Sequence, residues 1–403
     1  MLTQDISQDA RRLSGVALAA ALRDSREVLL SRVTDLDDAQ WSFPYRLGVN
    51  PVPWELGHVG WFGEFWVLRG PHRVDGQGIV NAQQPPRFIG PDDCFDSARL
   101  PHARRWDIEP VTRQALLDRL QAQLDACIAT VPPEGSGDDA AYMHRLTLFH
   151  EDMHAEAFAW LRGVLGFAPP RDCELKPVMR EGQLQLSGGA FQRGWPHRRT
   201  GFAFDNELPS SSSALQPFSI DAAPVTAGQF LRFVEAGGYA DAAWWPGEAG
   251  AWRAAEAVSH PERWREREAG RWEVRWFDRW TDLETARPVI HVNAWEAEAY
   301  CRWAGRRLPT ATEWEFAVTS VAPGMFEWGR SVWEWTATPF EPYPGFEPGP
   351  YRDYSAPWFH DHRELRGGSF AAHSRMHDAR YRNFFQPHRR DVFAGFRTAT
   401  SKP

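Results

Sequence analysis

Three histidines stand out because their types and spacing suit a metal ion. His150 and His154 are one helical turn apart in the run HEDMH at 150–154, followed by Ala155 and Glu156. Residues at i and i+4 lie one above the other on a helix face, the geometry that two ligands of one ion require. A third candidate is His58, inside the apolar run PWELGHVGWFGEFWVL at 53–68, where an imidazole without a partner is costly to bury. Three neutral imidazoles with open coordination positions suit Zn(II), or Fe(II) that binds O2, and ligand softness does not separate the two.

The same run satisfies HExxH, in which two helical histidines hold zinc and the glutamate is the general base. The extended form, HExxHxxGxxH, supplies its third ligand downstream. Here Ala157 occupies the glycine position and Trp160 the final histidine position, so the third ligand is sought upstream at His58. A zinc hydrolase working through Glu151 stays open as a reading from another class, as does a catalytically silent binding module.

Helices must position these residues. Apolar positions at three- and four-residue spacing over 8–36 predict an amphipathic helix, and Pro53 opens a second one ending near Leu68. A segment rich in Pro, Gly and Asp over 71–109 reads as a functional loop. Two further helices are expected over Val111–Thr130 and Asp139–Gly163, completing an antiparallel four-helix bundle whose metal site faces inward. Phe167 to Glu174 reads as a linker, dividing a bundle at 1–170 from a second domain at 175–403. Beyond it, helical periodicity survives at Ala294–Ala304 and Thr312–Val318, with Thr310 or Thr312 as caps, amid short strand-like runs and loops. The fold class is therefore α followed by loop-rich α+β.

Composition narrows the function. No stretch approaches the roughly 20 apolar residues a membrane helix needs, and a net charge of −8 offers nucleic acid no general attraction. The polar, acidic start MLTQDISQDARR lacks the pattern of a secretory signal, which predicts a cytoplasmic location. Four dispersed cysteines, with no CxxC, predict free thiols rather than a thiolate zinc site. Twenty-one tryptophans are many for 403 residues, and indole is useful both as a core anchor and beside cations.

The second half carries ordered blocks: DAAPVT at 221–226 followed by Phe230 and Phe233, PVIHVNAWEA at 288–297 running into YCRW at 300–303, and RRLPTATEWE at 306–315. SVWEW at 331–335, RGGSF at 366–370 and GFR at 395–397 complete the series. These resemble the sulfatase-modifying-factor (formylglycine-generating-enzyme-like) domain, which implies a C-type-lectin-like fold and assigns most of the indoles to scaffold. Formylglycine-generating enzymes hold copper(I) with a cysteine pair. Cys301 is the only cysteine of the second domain, which disfavours that activity.

A DinB-like bundle with an upstream histidine and HxxxHxE, joined to this domain, resembles the nonheme-iron sulfoxide synthases of ergothioneine biosynthesis. That resemblance implies Fe(II) on His58, His150 and His154, with O2, hercynine (the Nα-trimethylated histidine betaine) and a chalcogen donor meeting between the domains. The run YRNFFQP at 381–387 aligns with the family's substrate segment. Asn383 matches an asparagine that holds the hercynine carboxylate, and Phe384 keeps an aromatic face for the trimethylammonium group, a contact worth roughly 0.5–2 kcal/mol.

Departures from the family pattern point to a different donor. Phe385 stands where enzymes using γ-glutamylcysteine have aspartate, Met153 where glutamine is frequent, and residues 95–107 replace an arginine-bearing donor loop. This version resembles the selenoneine synthases, which take a selenosugar. Arg99, Arg104, Arg382, Phe385 and Gln386 are the candidate substrate contacts beside Asn383, Phe384 and Met153. A thiol donor is the alternative. One of Tyr343, Tyr351 and Tyr354 is expected to match the family's proton-donating tyrosine.

Overall fold

The computed structural model describes residues 9–109, 111–196, 201–268 and 270–401. Helices α1 (Gly15–Ser31), α2 (Val52–Gly63), α3 (Arg113–Ala129) and α4 (Asp138–Leu165) form the N-terminal bundle. α4 packs against α1 and α2, and α2 also against α3. Among the described residues, no helix is long and apolar enough to cross a membrane. Residues 1–8, on which most of the expectation about location rests, lie outside the described residues.

The first helix departs from expectation. Gln8 lies outside the described residues; residues 9 and 10 are helical, the helix breaks over 11–14, and α1 begins at Gly15 after Ser14 adopts extended backbone. Gly15 takes φ +49°, and a Cβ there would meet Glu134 at 2.9 Å. Upstream, the buried Arg11 is drawn to the second domain, 2.7 Å from Glu207 and 3.5 Å from Asp378, while its carbonyl accepts the Phe202 N–H at 2.7 Å. Tertiary ion pairs override local helix propensity here. The segment at 71–109 is more structured than a loop, with a hairpin pairing His72–Val74 with Val80–Ala82, a helical turn Asp92–Phe95 and a 3-10 turn His102–Trp106.

In the second half, α5 (Ala294–Trp303) and α6 (Ala311–Ser320) each open with a capping box, from Asn293 with Glu296 and from Thr310 with Glu313. A four-stranded sheet is built from β1 (Trp333–Pro339), β2 (Arg363–Gly367), β3 (Asn383–Phe385) and β4 (Ala394–Gly395). Its spatial order is β3-β2-β1-β4, antiparallel except for the parallel β1–β4 pair. The remaining strands form small separate sheets, so loops carry much of this half. Trp314, Trp333 and Trp335 are fully buried, and their indole N–H groups donate to Glu334, Glu156 and the Val292 carbonyl at 2.8, 2.8 and 2.9 Å. They are scaffold anchors.

One apolar core runs through both halves, from Leu29, Phe62 and Phe149 in the bundle to Val292, Trp335 and Phe396. α4 joins them chemically as well. Glu156 accepts from Trp333 Nε1 at 2.8 Å and Ser369 Oγ at 2.5 Å, and burial pushes its carboxyl up to about 7. Arg375 crosses to Asp152 at 2.8 Å and to Asp24 at 2.5 Å.

Candidate metal centre

α2 and α4 face each other with three imidazoles between them. Nitrogens of His58, His150 and His154 all lie within 4.8 Å of one another. Ring centroids are 5.1 Å apart for His58 and His150, 5.0 Å for His58 and His154, and 4.5 Å for the helical pair. α2 continues beyond His58 into a π-helical turn, Glu64–Leu68, pinned where the Glu64 carboxylate accepts the backbone N–H groups of Phe88 and Ile89 at 3.2 and 3.1 Å. Such turns recur at functional sites.

The rings are oriented from behind. His58 Nδ1 meets the Phe95 carbonyl at 2.7 Å, and His154 Nδ1 meets Glu55 Oε1 at 2.7 Å. Each contact is best made by an Nδ1–H, which leaves Nε2 with its lone pair for an ion, the arrangement that supports ligating histidines generally. His150 is held differently. It stacks on Phe62 with centroids 3.6 Å apart, and its Nδ1 is buried without a partner. Trp54 and Trp61 flank His58 at 5.1 and 5.8 Å. Burial, reinforced by His154, holds His58 and His150 well below the usual imidazole range. Clustered imidazoles, two of them kept neutral by burial and one with an orphaned nitrogen, fit a divalent metal better than they fit one another.

Glu151 and Asp152 point elsewhere. Glu151 is fully buried against Arg26, 2.5 Å away, on the α1 side of the helix. Asp152 accepts from Ser25 at 2.9 Å and Arg375 at 2.8 Å. The glutamate that HExxH chemistry needs as a base is thus engaged in a structural ion pair, and the third histidine comes from α2. The peptidase reading has no geometric support.

The tyrosines separate by neighbourhood. Tyr351 lies 5.0 Å from Phe62 and 6.3 Å from His150, edge-on in both cases. Burial raises its phenol. Tyr354 stacks on Phe204 at 4.4 Å, and its hydroxyl lies 3.2 Å from Tyr381 Oη and 3.9 Å from Met153 Sδ. Tyr343 belongs to a different cluster: its hydroxyl accepts from Arg366 at 3.2 Å, and the Arg382 guanidinium lies 4.0 Å over its ring.

Of the expected substrate contacts, Asn383, Phe384 and Phe385 share β3, which is half-buried. Asn383 Oδ1 accepts the Phe384 N–H at 2.9 Å. Phe384 stacks on Phe340 at 4.1 Å and meets Tyr354 edge-on at 5.9 Å. Phe385 lies 5.9 Å from Trp160 of α4. Gln386 follows β3 and is half-buried.

Three arginines are engaged otherwise than expected. Arg104 is a largely exposed surface partner of Asp107 at 2.5 Å. Arg99 is matched to Asp96 at 3.1 Å and donates to Asn81 at 2.8 Å. Arg382 is buried inside the second domain, bonded to Glu364 at 2.9 Å and to the Glu341 carbonyl at 2.7 Å. Each follows from nearby acceptors that a guanidinium meets before it meets a ligand.

Four neighbours escaped the sequence reading. Glu55 lies three residues before His58 and so on the same helix face, a signal that was available. Trp54, four residues before His58, shares that face too; Arg105 arrives over Trp54 by tertiary packing, and Tyr381 packs farther off, against Tyr354 and Met153.

Comparison with known proteins covers nearly all of the chain. Residues 21–158 match the DinB superfamily, and residues 170–330 and 321–402 match the sulfatase-modifying factor enzyme 1-like domain. A hercynine oxygenase of Mycobacterium tuberculosis is 30% identical over 416 residues, covering 91% of this chain and 95% of that protein. One from Mycolicibacterium smegmatis is 29% identical, covering 95% and 98%. A formylglycine-generating enzyme of Streptomyces coelicolor is 32% identical over 39% of this chain and 53% of that enzyme.

Proposed function

The chain belongs to the hercynine oxygenase family, and from that premise we propose that it joins the selenium of a selenosugar to the imidazole C2 of hercynine, using Fe(II) and O2. The balance is one hercynine C–H, one selenol and one O2 giving the C2-linked selenoxide and one water. Four electrons leave the two organic substrates and reduce O2. The carrying observation is the three-histidine cluster on facing helices, with Tyr351 edge-on to His150 and ring contacts running on through Tyr354 to Phe384 of the half-buried strand.

Fe(II) bound by His58, His150 and His154 supplies the activation of O2. Glu55 and the Phe95 carbonyl keep two ligands in the tautomer that presents Nε2. Asn383, through its amide N–H, takes the betaine carboxylate, while Phe384 offers its face to the trimethylammonium group. Tyr351, holding its proton by burial beside His150, is the proton donor of the three candidates. Phe385, next to Trp160, gives the donor an apolar platform in place of a carboxylate. An ammonium-bearing donor finds no partner at that position, which favours a sugar over γ-glutamylcysteine. The boundary between the two domains falls at 170–175, and the enzyme works in the cytoplasm.

O2 uptake by Fe(II)-loaded protein tests this reading. Uptake should require both hercynine and the selenosugar. Uptake supported by γ-glutamylcysteine and not by the selenosugar would replace it with sulfoxide synthesis.

A further inference from the structure

Between β1 and β2 the chain runs over 340–362 without a strand, and this connection carries Tyr351 and Tyr354. Pro342, Pro344, Pro348, Pro350 and Pro357 keep regular structure short there. Among the described residues, the backbone-to-backbone hydrogen bonds between 343 and 358 are local, from Phe346 to Tyr343, Tyr354 to Tyr351 and Trp358 to Ser355. Between 344 and 360 only Gly349, Tyr354 and Ser355 are buried. A turn built this way needs an anchor from elsewhere in the fold.

One carboxylate supplies it. The buried Asp205 accepts the Gly349 N–H at 3.1 Å on Oδ2 and the Ser355 hydroxyl at 2.5 Å on Oδ1. The two donors stand on either side of Tyr351 and Tyr354 in the chain, so a single side chain pins both ends of the turn. A carboxylate offers an acceptor oxygen to each end, where an amide of the same shape offers one. The fit at Gly349 is close, because a Cβ there would meet Asp205 Cβ at 3.2 Å.

Asp205 is tied in turn to the ligand helix. Its neighbour Phe204 stacks on Tyr354 at 4.4 Å and meets Phe149 edge-on at 6.0 Å, while Phe202 stacks on Phe149 at 4.9 Å. Phe149 directly precedes His150 on α4. Tyr142 of the same helix donates to the Ala203 carbonyl at 3.4 Å. Residues 202–205 therefore bridge the helix that bears two of the histidines and the turn that bears Tyr351, whose ring is edge-on to His150.

We propose that Asp205 is a positioning residue of this enzyme, setting the distance between Tyr351 and the histidine cluster through the turn it clamps. This rests on the reading above that Tyr351 is the proton donor. A displacement of about 1 Å at a reacting group is enough to cost roughly 100-fold in rate, and such groups hold their place only when a supporting shell locks them.

Fluorine NMR reads that distance without turnover. Full-length protein carrying 3-fluorotyrosine at position 351 is loaded with Co(II), or with Zn(II) as the diamagnetic reference. Co(II) at the three histidines speeds the relaxation of that fluorine, and the effect falls steeply with distance. D205A and S355A should each lose much of the enhancement, or split the resonance into several, at unchanged metal content. D205N should keep most of it, since its amide oxygen still takes the Gly349 N–H and its amide nitrogen donates to the Ser355 hydroxyl. Asp35→Ala is the control: it breaks the ion pair made with Arg162 of α4 at 2.7 Å and should leave the enhancement as in wild type. Wild-type enhancement in D205A and S355A overturns the proposal, as does an equal loss in Asp35→Ala. Should D205A fail to fold, S355A alone decides.

Turnover separates the clamp from the role of the tyrosine. In D205A, kcat should fall by roughly 10–100-fold, with the KM for hercynine much less affected because Asn383 and Phe384 stand on β3. A raised KM at wild-type kcat would put Asp205 in substrate binding and overturn the proposal. Wild-type turnover by Tyr351→Phe removes the proton-donor reading, while the fluorine result still decides the clamp on its own.

Discussion

The two sides of α4 treat charge in opposite ways. Toward α2 it presents His150, stacked on Phe62 and held below the usual imidazole range by burial, and His154, bonded through Nδ1 to Glu55. Toward α1 and the second domain it presents Glu151, Asp152 and Glu156, each bound by Arg26, Arg375, or Trp333 with Ser369. One face is closed by complementary partners from the chain itself. The other keeps its ring nitrogens for something the chain does not contain. Hydrogen-bonding groups left over in a core are thus more telling than charged groups present in it.

The largest break in this contrast is His150→Ala. Metal content should drop from about one ion per chain to near zero, measured by elemental analysis after anaerobic loading, while the fold persists because no structural hydrogen bond is lost from Nδ1. Glu151→Ala inverts the test. It strands Arg26 in the interior, which should cost about 3–5 kcal/mol in denaturant unfolding while each folded chain still binds metal. Retained stability with lost turnover would instead make Glu151 a base.

His377 supplies a control from the second domain, where a buried histidine has no histidine cluster around it. Burial first, and Arg330 second, push its imidazole down to about 3. A depressed folded value means that its contribution is complete above the unfolded value near 6.5 and is lost as pH falls toward 3. The loss amounts to about 5 kcal/mol over that whole interval and about 3 kcal/mol by pH 4. Unfolding free energy measured from pH 7 to pH 4 should fall less steeply in His377→Phe than in wild type, and metal content should be the same in both at neutral pH. Smallest is Glu55→Gln, which keeps a hydrogen bond to His154 but removes the carboxylate. Metal affinity should weaken by about 10–100-fold in competition with a chelator, with little change in melting temperature.

Helical periodicity made the bundle and its histidines legible. HEDMH declared the ligand spacing, and PWELGH placed His58 on an apolar helix where an imidazole without a partner is costly to bury. The ends of that first helix were not legible, because Arg11 answers to Glu207 nearly two hundred residues away. The same limit applied to the substrate wall. Arg99 and Arg104 read as ligand contacts along the chain, and only three-dimensional packing gives each of them a carboxylate instead. Sequence blocks identified the second domain, yet its loops decide contacts that no spacing rule predicts. Tyr343, Tyr351 and Tyr354 illustrate it, falling in one short stretch, yet Tyr351 and Tyr354 are ring neighbours while Tyr343 sits among Arg366 and Arg382.

The proposed reaction is oxidative carbon–selenium bond formation at the histidine cluster. Its most direct test is product mass from Fe(II)-loaded protein given hercynine, a 1-selenosugar and 18O2. A hercynine–selenosugar adduct carrying one 18O atom is expected, absent with His150→Ala. An unlabelled adduct, or a hercynine product formed from γ-glutamylcysteine and never from the selenosugar, would contradict it.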